Sequence, residues 1–248
     1  ILLKEPSLKG YNFPDPKAAW RYEGFNKELG LNKDLFCLCD IGFSLFERAW
    51  TLRGMENLLC DMYENQEFVN VLLDAITEFN LTIIDESVKY PIDGMRFGDD
   101  WGQQAGLIMG PELWRKFIKP RIKKMYARVK SHGLKVFIHS CGDVEEIFPD
   151  LIEVGLDVFN PFQPEAYDIF KIKKLYGDKL SFYGGMSTQK ILPFGTPEAV
   201  KIETVRLLKE IGNNGGYIFS PAHATPGDVP VENMTAMIEV LQNQEKYR

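Results

Sequence analysis

The stretch LKVFIHSCGDV, residues 134–144, leads from a predicted strand directly to the start of a predicted helix. Residues 136–138 form an apolar, β-favouring run, which predicts a strand over 134–140. An amphipathic stretch near 111–131 comes before this strand, and a further helix is predicted near 143–154. Because strands that alternate with helices of this length build parallel sheets, the stretch indicates an α/β fold.

The same alternation of strand and helix repeats from residue 35 to the end of the chain. Residues 1–34 are rich in turn formers and aromatic residues, which predicts an irregular lead-in belonging to the same domain. The predicted strands cover residues 35–41, 93–99, 134–140, 156–162, 180–185 and 216–221. The predicted helices lie near residues 54–64, 66–89, 111–131, 143–154, 166–176, 197–212 and 231–245. No break in composition interrupts these repeats, so we predict a single domain.

Six predicted strands fit either an open doubly wound sheet or a (β/α)8 barrel that lacks two strands. The nucleotide fingerprint of a doubly wound fold, G-x-G-x-x-G after the first strand, does not occur here. Polar residues instead follow nearly every predicted strand, and in a barrel these strand ends meet at the catalytic face. We therefore predict a (β/α)8 TIM barrel over residues 35–248, whose first strand or two precede Ile1 or are irregular. The absence of an initial methionine also suggests a fragment or a processed product.

Charge and composition exclude several functional classes. The 248-residue chain has a formal net charge of −6, which gives no basic face for nucleic acid. No apolar run approaches the roughly 18–20 residues of a membrane span, and no secretory signal opens the chain. The four cysteines show no paired framework, so we expect a reducing, cytoplasmic setting.

His139 and Cys141 are the first candidates for a metal site. They lie two residues apart at a strand end, so both side chains can project to the same side. Zinc accepts such nitrogen and sulfur ligands, and a catalytic zinc takes three protein ligands and keeps one open position. His223, in SPAHATPGDVP, is the best third candidate, followed by Asp99 and Asp100. The residues alone leave a second interpretation open, in which a packing cysteine stands beside a hydrogen-bonded histidine.

The segment GDDWGQQ, residues 98–104, brings two carboxylates and two amides together. Paired acids can act as general acid and base, because each charge raises the pKa of the other group. The alternative is a helix cap followed by a solvated loop. Arg48 and Arg53 could bind an acidic substrate group through their planar guanidinium forks, although ion pairing is the ordinary role for either residue.

The order of six longer segments adds a resemblance to a known family. The segments are GMENLLCDMYENQEFV (54–69), DGMRFGDDWGQQ (93–104), PELWRKFIKPRIKKMYARVKSHGLKVFIHSCGDV (111–144), LIEVGLDVFNPFQPEA (151–166), KKLYGDKLSFYGGMSTQKILPFGTPEAV (173–200) and GGYIFSPAHATPGDVPVENM (215–234). As an ordered set, from about residue 35 to the end, they resemble the uroporphyrinogen decarboxylase superfamily. The resemblance implies a (β/α)8 barrel. Because members of the superfamily are typically longer at the N-terminus, it also implies a missing first βα segment.

The superfamily contains heme-pathway decarboxylases and zinc- and cobalamin-dependent methyltransferases, and single residues separate the two branches. GDDWGQQAG (98–106) lacks the serine and histidine that the decarboxylases carry there, and Trp50 stands where they have a tyrosine. His-x-Cys-Gly at 139–142 resembles the methyltransferase branch, which uses the histidine and the cysteine as metal ligands. His223 departs from that branch, whose third ligand is a cysteine.

The resemblance implies a zinc-dependent methyltransferase that moves a methyl group to or from a corrinoid (cobalamin), carried by a partner protein. Zinc would be held by His139, Cys141 and His223, with Asp99 or Asp100 handling protons. The residues expected to shape the cofactor pocket are Gln163, Gly184, Gly185, Met186 and Gln189. Further expected partners are a small-molecule methyl donor, a thiol acceptor and a second copy in a homodimer. The alternatives are a uroporphyrinogen decarboxylase and a non-catalytic corrinoid or tetrapyrrole binding protein.

Overall fold

The computed structural model describes residues 1–247, in which strands and helices alternate along the chain. The strands are β1 (Leu38–Ile41), β2 (Gly94–Gly98), β3 (Gly102–Gln103), β4 (Gly106–Leu107), β5 (Lys135–His139), β6 (Val158–Phe162), β7 (Ser181–Met186) and β8 (Tyr217–Pro221). The helices are α1 (Phe25–Leu31), α2 (Phe46–Arg53), α3 (Met55–Glu64), α4 (Gln66–Ser87), α5 (Gly110–Leu113), α6 (Lys119–Ser131), α7 (Phe148–Glu153), α8 (Ile169–Tyr176), α9 (Ile191–Phe194), α10 (Pro197–Glu210) and α11 (Val231–Gln242). A π-helical turn, Trp114–Ile118, joins α5 to α6.

The sheet topology confirms the predicted α/β barrel class. In residues 1–247, six strands form one sheet in the order β1-β2-β5-β6-β7-β8, and β3-β4 form a separate two-stranded sheet. The pairs β1–β2, β2–β5, β6–β7 and β7–β8 are parallel. The order follows the chain without reversal, as in a (β/α)8 barrel, whereas a doubly wound sheet reverses its order at a switch point.

The first of two compact units comprises residues 1–101, 107–139 and 149–156. Its strands are covered by α4 and α6, whose buried faces supply much of the core of this unit. A row of ion pairs joins the two helices: Arg121–Asp74 at 2.8 Å, Lys124–Glu78 at 3.0 Å and Arg128–Asp85 at 2.6 Å. The spacing of these pairs follows the helical repeat, so α4 and α6 lie side by side.

The N-terminal segment is anchored to this unit by a buried arginine. Arg53 is 7% exposed and donates hydrogen bonds to the carbonyl oxygens of Leu3 (3.2 Å) and Lys4 (2.6 Å). Its Nε atom also lies 2.7 Å from an Asp61 carboxylate oxygen. The prediction that the whole of 1–34 is irregular is wrong where α1 forms. This short helix has no side-chain cap, and the ring of its first residue packs against the ring of Tyr90.

The second unit comprises residues 102–106, 140–148 and 157–247. Its core is aromatic: Phe162 stacks on Phe182 with ring centroids 4.2 Å apart, and Phe148 meets Phe159 edge-on at 4.9 Å. Strand β6 is buried along its entire length, and α10 packs against α11. The single-domain assignment stays a prediction.

Besides α1, the structure adds elements that the sequence did not predict, namely α2, α9 and the β3–β4 hairpin. Helix α2 has no side-chain cap from its own N-cap residue, Leu45, so a local start signal is absent from the sequence. Among residues 1–247, none of the helices combines the length and apolar character that crossing a bilayer requires.

Candidate metal centre

His139, Cys141 and His223 come together as the sequence predicts, because one ligand atom from each lies within 4.8 Å of the other two. His139 ends β5, and Cys141 follows one residue after Ser140. His223 comes two residues after the end of β8, in the same unit as Cys141. His139 and Cys141 are half-buried and His223 is exposed.

The chemistry of this donor set fits zinc. A thiolate and two neutral imidazoles are ligands that Zn²⁺ prefers. Three protein ligands correspond to a catalytic zinc site, in which the fourth position takes water or substrate. The exposed His223 imidazole leaves the site accessible to such a ligand.

The loop that carries Cys141 is held by backbone hydrogen bonds to β3. Gly102 N donates to Cys141 O at 3.1 Å, and Asp143 N donates to Gln103 O at 2.8 Å. Gly142 N donates to the side-chain oxygen Oε1 of Gln163 at 2.9 Å. The Gln163 side chain thus fixes the backbone next to Cys141. Its predicted role in cofactor binding stays a prediction.

Two glycines permit this close backbone approach. A Cβ atom on Gly102 would lie 2.6 Å from Cys141 O. Gly142 has φ +82°, and its Cβ would lie 2.6 Å from Gln103 N. Real Cβ contacts are not this short, so a side chain at either position would displace the loop that carries Cys141.

His223 is positioned through the pairing of β7 with β8. Met186 lies opposite Pro221 in this pair, and Ala222 N donates to Met186 O at 2.8 Å. Gly184 O accepts a hydrogen bond from the Tyr217 hydroxyl at 2.9 Å, and a Cβ on Gly185 would collide with that hydroxyl. The predicted pocket residues Gly184, Gly185 and Met186 therefore connect β7 to β8, while Gln189 is exposed.

Asp99 is a buried cap for helix α2. It directly follows β2 and has no exposed surface. Burial raises the pKa of its carboxyl group from 3.8 to about 6, although its hydrogen-bond donors oppose the shift. The donors are the backbone N–H groups of Leu45 (3.1 Å), Phe46 (3.1 Å) and Glu47 (2.9 Å) and the indole Nε1 of Trp101 (2.6 Å). The Asp99 carboxylate thus caps the N-terminus of α2.

Asp100 lies near His139 instead. Its half-exposed carboxylate places Oδ1 at 4.0 Å from His139 Nε2. Carboxylates commonly orient metal-binding histidines through the ring nitrogen that does not bind the metal. Of the two acids predicted to handle protons, Asp100 is the one whose carboxylate lies near His139, and its role in proton handling stays a prediction.

Glu47 is an acid at this site that the sequence analysis missed. Burial and then the charges of Asp100 and Asp99 raise the pKa of Glu47 from 4.5 to about 7, against a hydrogen bond from the Asp100 backbone. Glu47 is 8% exposed, in the first turn of α2. The one available signal was an acidic residue inside the apolar run SLFERAW, and that signal is weak without a predicted helix.

Comparison with known proteins shows the family to which the chain belongs. The sequence model described as "Uroporphyrinogen decarboxylase (URO-D)" matches residues 26–244. Uroporphyrinogen decarboxylase of Chlorobaculum parvum is 27% identical over 222 residues, which cover 84% of this chain and 60% of the relative. That of Coxiella burnetii is 26% identical over 190 residues, covering 73% and 49%. The chain thus spans roughly half to three-fifths of the length of these relatives.

A solved structure shows the same fold. A methyltransferase from Methanosarcina mazei matches with a TM-score of 0.75 at 18% sequence identity. The match covers 98% of this chain and 70% of the other chain. At this identity the likeness shows the fold alone, so the assignment of an activity depends on the residues of the candidate metal centre.

Proposed function

Because the chain belongs to the uroporphyrinogen decarboxylase family, we propose that it is an enzyme that moves a methyl group to or from a corrinoid cofactor, with zinc at its active site. The observation that carries the proposal is the His139–Cys141–His223 set, whose ligand atoms lie within 4.8 Å of one another. A decarboxylase that acts without a metal does not need a cysteine and two histidines whose ligand atoms lie this close together.

His139, Cys141 and His223 would hold the ion through two imidazole nitrogens and one sulfur. A zinc ion held there would supply a Lewis acid, which polarises a methoxyl oxygen or lowers the pKa of a thiol or hydroxyl beside it. Asp100 stands 4.0 Å from His139 Nε2 and can orient that imidazole, directly after a small rotation or through one water molecule.

Glu47, whose carboxyl group is hydrogen-bonded to the Asp100 backbone, is a second group that can take part in proton transfer. With a pKa of about 7, its carboxyl group can hold or release a proton near neutral pH. Its hydrogen bond with the Asp100 backbone keeps the two acids adjacent. Asp99 stays in its capping role, because its oxygens are occupied by N–H donors.

The corrinoid, its carrier protein and the methyl donor are proposed from the His-x-Cys resemblance. The structural neighbour is named a methyltransferase, which supports methyl transfer as the reaction class. The residues proposed to line the cofactor pocket lie at or shortly after the ends of β6 and β7: Gln163, Gly184, Gly185, Met186 and Gln189. A reducing, cytoplasmic setting fits the proposal, because no disulfide joins the cysteines of residues 1–247 and zinc binding requires the Cys141 sulfur to stay unoxidised.

Metal analysis of the purified protein tests the proposal. We expect close to one zinc per chain in the wild type and its loss in Cys141→Ser. Cys60→Ser is the matched control, because Cys60 is an exposed cysteine on α3 and should not affect zinc content. Demethylation of methylcobalamin with an added thiol, followed by absorbance, should fall with the zinc content. A metal-free protein that transfers methyl groups at the full rate would rule the proposal out.

Decarboxylation of uroporphyrinogen is the second candidate, because the curated relatives at 25–27% identity carry that name. It predicts turnover of uroporphyrinogen that a chelator does not affect. Binding of a corrinoid with a change in absorbance but without methyl transfer would indicate a carrier protein instead.

A further inference from the structure

The first unit contains a cavity of about 430 Å³, and none of the three candidate metal ligands lines it. It lies beside the end of β1 and is lined from the N-terminal segment, α2 and α4. Most of its wall is apolar or aromatic. The rings that line it are Tyr11, Phe13, Tyr22, Phe25, Phe43 and Phe79. Its volume lies within the range of small-molecule sites, roughly 300–1,000 Å³.

The two arginines of this cavity, Arg21 and Arg48, differ from the other arginines in their partners. Of the eight arginines in residues 1–247, six form ion pairs with carboxylates. Within the same residues, the two that form none are Arg21 and Arg48, and both line this one cavity. The chain carries 35 acidic residues, so acids for pairing are abundant. Asp40 also lines the cavity, but its carboxylate is paired with Arg96.

Aromatic rings hold both guanidinium groups. Arg21 Cζ lies 4.5 Å from the Trp20 ring centroid and 5.2 Å from that of Phe79. Its Nε donates to Asp15 O at 2.9 Å, and its terminal nitrogens have no acceptor in residues 1–247. Arg48 Cζ lies 6.0 Å from the Phe43 ring centroid. Such stacking orients a guanidinium plane and keeps its outer N–H groups available for an anion.

We propose that this cavity binds a small planar aromatic molecule that carries one or two carboxylates. The aromatic wall suits a flat apolar ring, which stacks or packs edge-on against Tyr and Phe side chains. The two arginines supply the forked N–H donors that bind carboxylates in bidentate fashion. The net positive lining, with Asp40 neutralised by Arg96, selects an anion over a neutral or cationic ligand of equal shape. The proposal does not depend on the metal centre.

Binding of naphthalene-2,6-dicarboxylate to the full chain, measured by calorimetry, tests the proposal. We expect saturable binding that weakens at least about tenfold in Arg48→Gln and in Arg21→Gln, because each variant removes charge-assisted hydrogen bonds. Arg206→Gln is the matched control, since Arg206 also stacks on a ring, that of Phe170, but pairs with acids. Its affinity should equal that of the wild type.

Further ligands and variants keep the outcome decisive. Naphthalene-2,6-dimethanol, which has the same rings without charge, should bind at least about tenfold more weakly than the dicarboxylate. Equal affinity of the two ligands, or an unchanged affinity in Arg48→Gln, would overturn the proposal. Arg48 is exposed on α2, so Arg48→Gln should fold even if Arg21→Gln does not. Tighter binding of 2-naphthyl phosphate would overturn the carboxylate class, and equal weakening in Cys141→Ser would place the ligand at the metal centre.

Discussion

Replacing Glu47 by glutamine should make the stability of the protein less dependent on pH. Glu47 is a buried acid whose pKa rises from 4.5 to about 7 in the folded state. Below pH 4.5 the group is protonated in both the folded and the unfolded protein and contributes no difference. As the pH rises toward 7, the unfolded chain ionises first, so the folded state becomes progressively less favourable, and the loss levels off above 7.

The size of the effect follows from the shift. At about 1.4 kcal/mol per pKa unit, the rise from 4.5 to about 7 lowers the free energy of unfolding by about 3 kcal/mol at pH 8. Glutamine has nearly the same shape and cannot ionise. The free energy of unfolding of Glu47→Gln, relative to the wild type, should therefore rise by about 3 kcal/mol between pH 4 and pH 8.

Urea unfolding of chelator-treated protein at several pH values measures this difference without interference from a bound cation. Asp100→Asn is the informative control, because the charge of Asp100 is the second cause of the shift, after burial. In that background the effect of Glu47→Gln should shrink but persist. A difference between wild type and Glu47→Gln that is the same at pH 4 and pH 8 would refute the reasoning.

Three further variants test the elements that hold the site. Asp99→Ala should lower the free energy of unfolding by about 3 kcal/mol or more, since it leaves buried N–H donors at the start of α2 unsatisfied; an unchanged urea midpoint would contradict the capping role. Gly142→Ala should lower zinc content as well as stability, whereas Gly133→Ala, at φ +73° in open space, should affect stability alone; equal zinc content in both would contradict the steric argument. Arg53→Met should cost about 3–5 kcal/mol, because Asp61 is left buried without its partner, and should expose the first residues to limited proteolysis. Resistance equal to that of the wild type would show that the segment is held by other contacts.

The elements that could be predicted from sequence are those with a local cause. All six strands of the main sheet carry apolar, β-favouring runs, and their predicted positions agree with the structure. Helix α2 could not be predicted in this way, because its cap is Asp99, 53 residues beyond the Phe46 N–H that it accepts. The β3–β4 hairpin could not be predicted either, for the same reason. It contains four strand residues, and its stabilising contact, Gln103 with Asp143, joins two distant parts of the chain.

The division of roles between Asp99 and Asp100 follows from strand geometry and depends on a register that sequence does not reveal. Successive side chains of a strand point to opposite faces, so adjacent acids cannot both serve one site. Gly98 lies directly opposite His139 in the β2–β5 pair. Asp100, two residues after Gly98, therefore shares the face of His139, and Asp99 takes the other face, under α2. The His-x-Cys spacing involves the end of one strand, β5, so the proximity of His139 and Cys141 could be predicted from sequence, and their role as metal ligands stays a prediction. The pair of acids needs two strands in register, and for that reason the sequence left both as candidates for the same task.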